Sequence, residues 1–172
     1  FTIPVTAADQ TVGGMLDLSG NGNHAIQADA SKRPILRNSG ALWWLEFDGI
    51  DDFMSTAAID FSGTDKVSAW AGVTKLEDTL RIVAELSANT NENDGSFYMA
   101  AGSNGGFAQA YTSLSRGAEP INVFQTAGYT GAPAPDTAAL TTTHDISGDM
   151  STINRNGVAG VNGTFDKGTG NF

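Results

Sequence analysis

Apolar and polar residues alternate along most of this chain, in short runs broken by Gly, Asn, Asp and Ser. From Ala41 to Phe47, residues Trp43, Leu45 and Phe47 share one face and Leu42, Trp44 and Glu46 the other. That period of two predicts a strand. Asp48-Gly49 turns the chain, and Phe53 and Met54 begin its return. Ile59 and Phe61 alternate again before a Ser62-Gly63-Thr64-Asp65 turn. Val67 to Leu76 reads as a buried strand, with Val67, Ala69, Ala71 and Val73 opposite Trp70.

Lys75 to Leu86 also has helical spacing, with Leu76, Leu80 and Val83 on one side. Its neighbours are strand-like, and sheet context overrides local propensity, so strand, turn, strand is the reading adopted. Further strands are expected at Ala25–Ala30, Ser96–Ala101, Phe107–Tyr111, Ile121–Thr126 and Leu140–Ile146, with polar loops or turns at Ala88–Gly95 and Arg116–Glu119. Met150–Arg155, Asn156-Gly157 and Val158–Val161 form the clearest hairpin, because Asn-Gly favours a type I′ turn. About a dozen short strands without a credible helix describe one all-β domain over residues 1–172, an antiparallel β-sandwich or barrel.

The chain has 172 residues, enough for one sizeable core, and no Cys, so no disulfide framework holds it. Its net charge of −10 argues against nucleic acid and anionic membrane surfaces, which require a positive footprint. No apolar run approaches the roughly 20 residues of a membrane span.

Candidate chemistry is sparse. Asp17, Asp48, Asp51 and Asp52 could hold a hard cation, because calcium takes oxygen ligands from loop carboxylates. Alternatively, Asp48 forms an Asx turn while Asp51 or Asp52 caps neighbouring amides. His24 and His144, the two histidines, fit hydrogen-bonded structural roles. Ser19 with His24 lacks the orienting acid and oxyanion hole of a triad. The Gly-rich loop lacks the Lys of a phosphate-binding loop. Trp43, Trp44, Trp70, Tyr98, Tyr111 and Tyr129 could stack on sugars or fill a core. Trp43 and Trp44 face opposite ways, which places at least one in the core. Tyr111 and Tyr129, in Gly-flanked regions, are the exposed ligand-binding candidates.

The order Asp17-Leu-Ser-Gly-Asn-Gly-Asn-His-Ala25, then Arg33-Pro34, then Leu45-Glu-Phe-Asp-Gly-Ile-Asp-Asp-Phe53 resembles the concanavalin A-like lectin/glucanase superfamily. More narrowly it resembles the laminin-G-like jelly rolls of phage virion and bacterial surface proteins. Asn154 to Val161 and Gly168 to Phe172 are also similar to that group. The resemblance implies a jelly-roll sandwich cut at both ends. It implies a virion or extracellular-surface location, with a cell-surface glycan, neighbouring virion subunits or a second copy as partner. It also implies possible use of calcium. Glucanases of the superfamily carry Glu-x-Asp-x-x-Glu or Glu-x-Asp-x-Glu on a strand, with two Glu flanking the scissile bond. Here Glu46-Phe47-Asp48-Gly49-Ile50-Asp51 matches only in part. Ile50 and Asp51 stand where the second Glu belongs, and Gly49 breaks the strand. The expectation is therefore a non-enzymatic structural or adhesion module with no catalytic residues.

Overall fold

The computed structural model describes residues 5–87, 95–103, 110–117, 127–164 and 166–172. Every regular element among them is a strand except one 3-10 turn at Ala30–Lys32. The chain forms two compact units, 1–59 and 60–172.

The first unit is built from very short strands. These are β1 (Gln10–Thr11), β2 (Gly14–Met15), β3 (Ala25–Ile26), β4 (Ile35–Asn38) and β5 (Trp43–Glu46). β1, β4 and β5 form an antiparallel sheet in that order, and β2 pairs with β3. The strand expected over Ala25–Ala30 ends at Ile26, because Asp29 accepts from the Ser31 amide and caps the 3-10 turn. Phe53 and Met54 do not return along β5. Ser55 pairs with Ile26 instead. β4 escapes the sequence reading because its four residues are all half-buried and show no alternation.

The second unit is the sandwich. Its strands are β6 (Lys66–Lys75), β7 (Arg81–Leu86), β8 (Ser96–Ala101), β9 (Tyr111–Arg116), β10 (Ala127–Tyr129), β11 (Asp136–Asp145), β12 (Met150–Arg155) and β13 (Val158–Ala159). They form two antiparallel four-stranded sheets, ordered β10-β9-β8-β7 and β13-β12-β11-β6. Lys75 to Leu86 is strand, turn and strand as expected. The Asn156-Gly157 hairpin is also present, with both residues at the positive φ that a type I′ turn demands.

Other expectations change. β6 is not buried on both sides. It is an edge strand whose even-numbered positions are exposed. β11 begins at Asp136 rather than Leu140 and pairs with all ten residues of β6. β9 occupies Tyr111–Arg116, where a strand end and a turn were expected. It was missed because Ser113 and Ser115 take inward positions usually filled by apolar side chains. The first four residues, the loop at 88–94, most of the strand expected at Phe107–Tyr111, and the strand expected at Ile121–Thr126 lie outside the described residues.

The core between the sheets has two halves. One is apolar, with Met99, Tyr111, Leu140 and Ile153 buried among alanines. The other is a chain of hydroxyls around His144. Its imidazole lies 2.9 Å from Ser151 Oγ and 3.0 Å from Thr142 Oγ1. Thr142 reaches Ser113 at 2.8 Å, and Ser151 reaches Ser115 at 3.0 Å, so the contacts cross from one sheet to the other. Phe97 and Phe172 pack against the imidazole. Satisfied polar groups of this kind specify geometry that small apolar side chains leave loose.

Burial, together with the positive charge of Lys167, pushes His144 down to about 3. The folded state therefore keeps His144 neutral, while the unfolded chain takes up a proton near its ordinary value of 6.5. The stabilisation is complete above that value and is lost as pH falls towards 3. Denaturant unfolding at neutral pH and near pH 5 should show a loss of about 2 kcal/mol. His144→Gln should be less stable at neutral pH and should lack this slope.

Candidate functional site

Three surfaces carry candidate chemistry, two of them expected from the sequence. The first is the acidic corner after β5. Asp48, Asp51 and Asp52 bring carboxylate oxygens within 4.8 Å of one another. Their convergence follows from the Asp48-Gly49 turn, where Gly49 takes a positive φ. Asp48 Oδ1 accepts from the amides of Ile50, Asp51 and Asp52 at 2.8–3.2 Å, and Asp52 Oδ2 accepts from the Asp48 amide at 3.0 Å. Asp51 lies 3.9 Å from Lys32. This is the Asx-turn and capping arrangement that the sequence offered as the alternative to a cation.

Asp17 does not join that cluster. Its carboxylate accepts from the Ser19 amide and hydroxyl and from the Asn23 amide. Those bonds, led by the Ser19 hydroxyl, push it down to about 2. His24 Nδ1 accepts from the Asp17 amide at 3.0 Å, which is the structural role expected of it.

Glu46 is gripped by the Arg37 fork at 2.9 and 3.1 Å, and Arg37 also contacts Asp9. The Arg37 bond holds Glu46 below the usual carboxylate range. A general acid needs the opposite shift, because it must stay protonated near neutrality. A shallow groove of about 380 Å³ is lined by Val5, Thr6, Leu36 and Trp43, none of them charged.

The second surface is the end of the sandwich that holds the two candidate tyrosines. Tyr111 was expected to be exposed, and this is corrected. It has no accessible surface and is one of the largest side chains in the core. Its hydroxyl donates to Asp136 Oδ2 at 2.8 Å, and burial followed by Asp136 raises its pKa. Arg155 grips the same carboxylate through Nε, at 2.9 Å, and through its terminal nitrogen. Tyr129 is half-buried, with the Arg155 guanidinium 5.6 Å from its ring centre. The buried Lys75 ammonium lies 5.0 Å from the Tyr111 ring and 2.8 Å from Asp78. Asp78 in turn accepts from the Ala134 amide, so this network ties the end of the sandwich together. A flat aromatic face for a sugar is not what Tyr111 supplies.

The third surface was not singled out by the sequence reading. It is the outer face of the β6–β11–β12 sheet. The pairing sets Trp70 opposite Thr141, Ser68 opposite Thr143, Gly72 opposite Ala139 and Thr74 opposite Thr137. Thr152 and Asn154 continue the face on β12. Hydrogen bonds link Ser68 to Thr143, Thr74 to Thr137 and Asn154 to Thr141. Trp70 stands 73% exposed among them. Charge enters at one end, where Lys66 pairs with Asp145 at 2.6 Å. Trp43 and Trp44 are also exposed, at 49% and 42%, so neither fills a core as alternation suggested. The signal for Trp70 was present in the sequence. It lies on the opposite side of the strand from Val67, Ala69, Ala71 and Val73, and β6 and β11 both expose that side.

Comparisons of the chain with protein-family models, with curated proteins and with solved structures return no match. The fold is that of an all-β antiparallel sandwich.

Asp136 is the test of the second surface. Asp136→Ala removes the shared acceptor of Tyr111 and Arg155 and should cost about 2–3 kcal/mol in denaturant unfolding. Glu77→Ala, at an exposed pair with Arg81, should change stability by less than about 1 kcal/mol.

Proposed function

We propose that this chain is a non-enzymatic adhesion module of concanavalin A-like type, displayed on a virion or bacterial surface, with a neutral glycan as its ligand. The observation that carries this reading is Trp70, an exposed indole set among uncharged hydroxyl and amide side chains. A sugar ring presents an apolar C–H face and an equatorial rim of hydroxyls. An indole takes the first by stacking, and Ser68, Thr141, Thr143 and Asn154 supply donors and acceptors for the second. The lack of charge along the centre of the face favours a neutral saccharide over an acidic one. The motifs from Asp17 to Ala25 and from Leu45 to Phe53 support the surface-display part of the proposal. The lowered pKa of Glu46 is the opposite of what a general acid requires.

A glycan array should return binding to neutral saccharides. Trp70→Ala should weaken that binding about tenfold or more, in line with on the order of 1.5 kcal/mol for one stacking contact. Silence across a diverse array removes the lectin reading and leaves a decoration module that acts through protein contacts. The exposed Trp43, Trp44 and Phe47 of the first unit would favour that second reading.

Calcium at the Asp48–Asp51–Asp52 corner is a separate element of the proposal. Binding there stabilises the folded chain by mass action. The melting temperature should rise with added calcium and fall back with chelator, and Asp51→Asn should abolish the response. An unchanged melting temperature leaves these carboxylates as caps of their turn.

A further inference from the structure

We propose that β6 is a self-association edge, along which two copies of the chain pair antiparallel and join their outer sheets into one. Among the described residues, β6 pairs only with β11, and its other side carries no backbone hydrogen bond. The strand is ten residues long, contains no Pro, and has no charged residue between Lys66 and Lys75. Sheet edges are ordinarily blunted by shortness, Pro, charge or a bulge. The other edges of this sandwich follow that rule. β7 has a bulge between Ile82 and Ala84, β10 has three residues and β13 two. β6 alone among these described edges is long, regular and unprotected.

The occupant that fits this edge is β6 itself. A two-fold axis through an antiparallel pair keeps each face on its own side, so exposed positions must oppose exposed positions. With Ala71 opposite Ala71 of the second copy, Trp70 meets Gly72, Ser68 meets Thr74 and Ala69 meets Val73. Gly72 has open space where a side chain would stand, so the indole can lie over it. The chosen register brings no two lysines together, although the chain as a whole carries −10. Ala69, Ala71 and Val73 point into the core yet are only partly buried, and a neighbouring strand completes their burial. The inference stands whether or not the outer face binds a glycan.

Sedimentation of the intact protein should show a reversible dimer at micromolar to submillimolar concentration. Ser68→Lys with Thr74→Lys places like charges opposite each other twice across the axis, on an exposed face that the monomer tolerates. Association should weaken about tenfold or more. Ser68→Lys with Thr74→Glu makes both oppositions favourable and should restore the dimer. A wild-type protein that stays monomeric overturns the proposal. So does a dimer that survives the paired lysines, or one that the Lys/Glu variant fails to restore.

Discussion

The ten-residue antiparallel ladder between β6 and β11 is the constraint on which the sandwich depends. It decides in one step which side chains face the core and which face water. Val67, Ala69, Ala71 and Val73 turn inward with Ala138, Leu140, Thr142 and His144, while Trp70 turns outward beside Thr141. A slip of one residue would turn one strand's sets over relative to the other's, because the side-chain period is two. Trp70 would then face Leu140 across the pair, and either the indole would have to enter the core or the Leu140 side chain would have to leave it. The ladder therefore fixes the buried face and the candidate binding face together.

Much of this was legible from alternation. β6, β12 and the Asn156-Gly157 turn stand where the pattern placed them, because the strands alternate and the turn residues have a conformational reason, while β8 stands where its short run ending in apolar residues placed it and is buried at every position. β9 was not legible. Its inward Ser113 and Ser115 read as loop residues, and only their partners Thr142 and Ser151 across the core reveal them as packing positions. The site reading had a related weakness. Glycine neighbours suggested that Tyr111 was exposed, whereas Asp136 and Arg155, distant in sequence, supply the partners that let it be buried. Local alternation says which residues share a face. Whether that face meets water depends on the neighbouring sheet.

The two halves of the core divide the work of holding the sheets. The apolar half contributes burial, which is non-directional. The hydroxyl and imidazole half contributes direction, because each contact holds only within a narrow range of distance and angle. Small side chains are needed for both, since larger ones would push the Ser and Thr hydroxyls of facing strands out of reach. In the first unit the same preference for polar closure is seen at the Asp17 and Asp48 turns, where carboxylates take up backbone amides.

Phe172 closes one side of the sandwich unit. The Phe172 amide donates to the Thr64 carbonyl at 2.9 Å, and its ring covers Phe97 and His144. Contacts this distant in sequence make folding slow, because the entropy of closing the loop is lost before the contact repays it. The imidazole side of the core therefore closes only after a contact that spans most of the sandwich unit has formed.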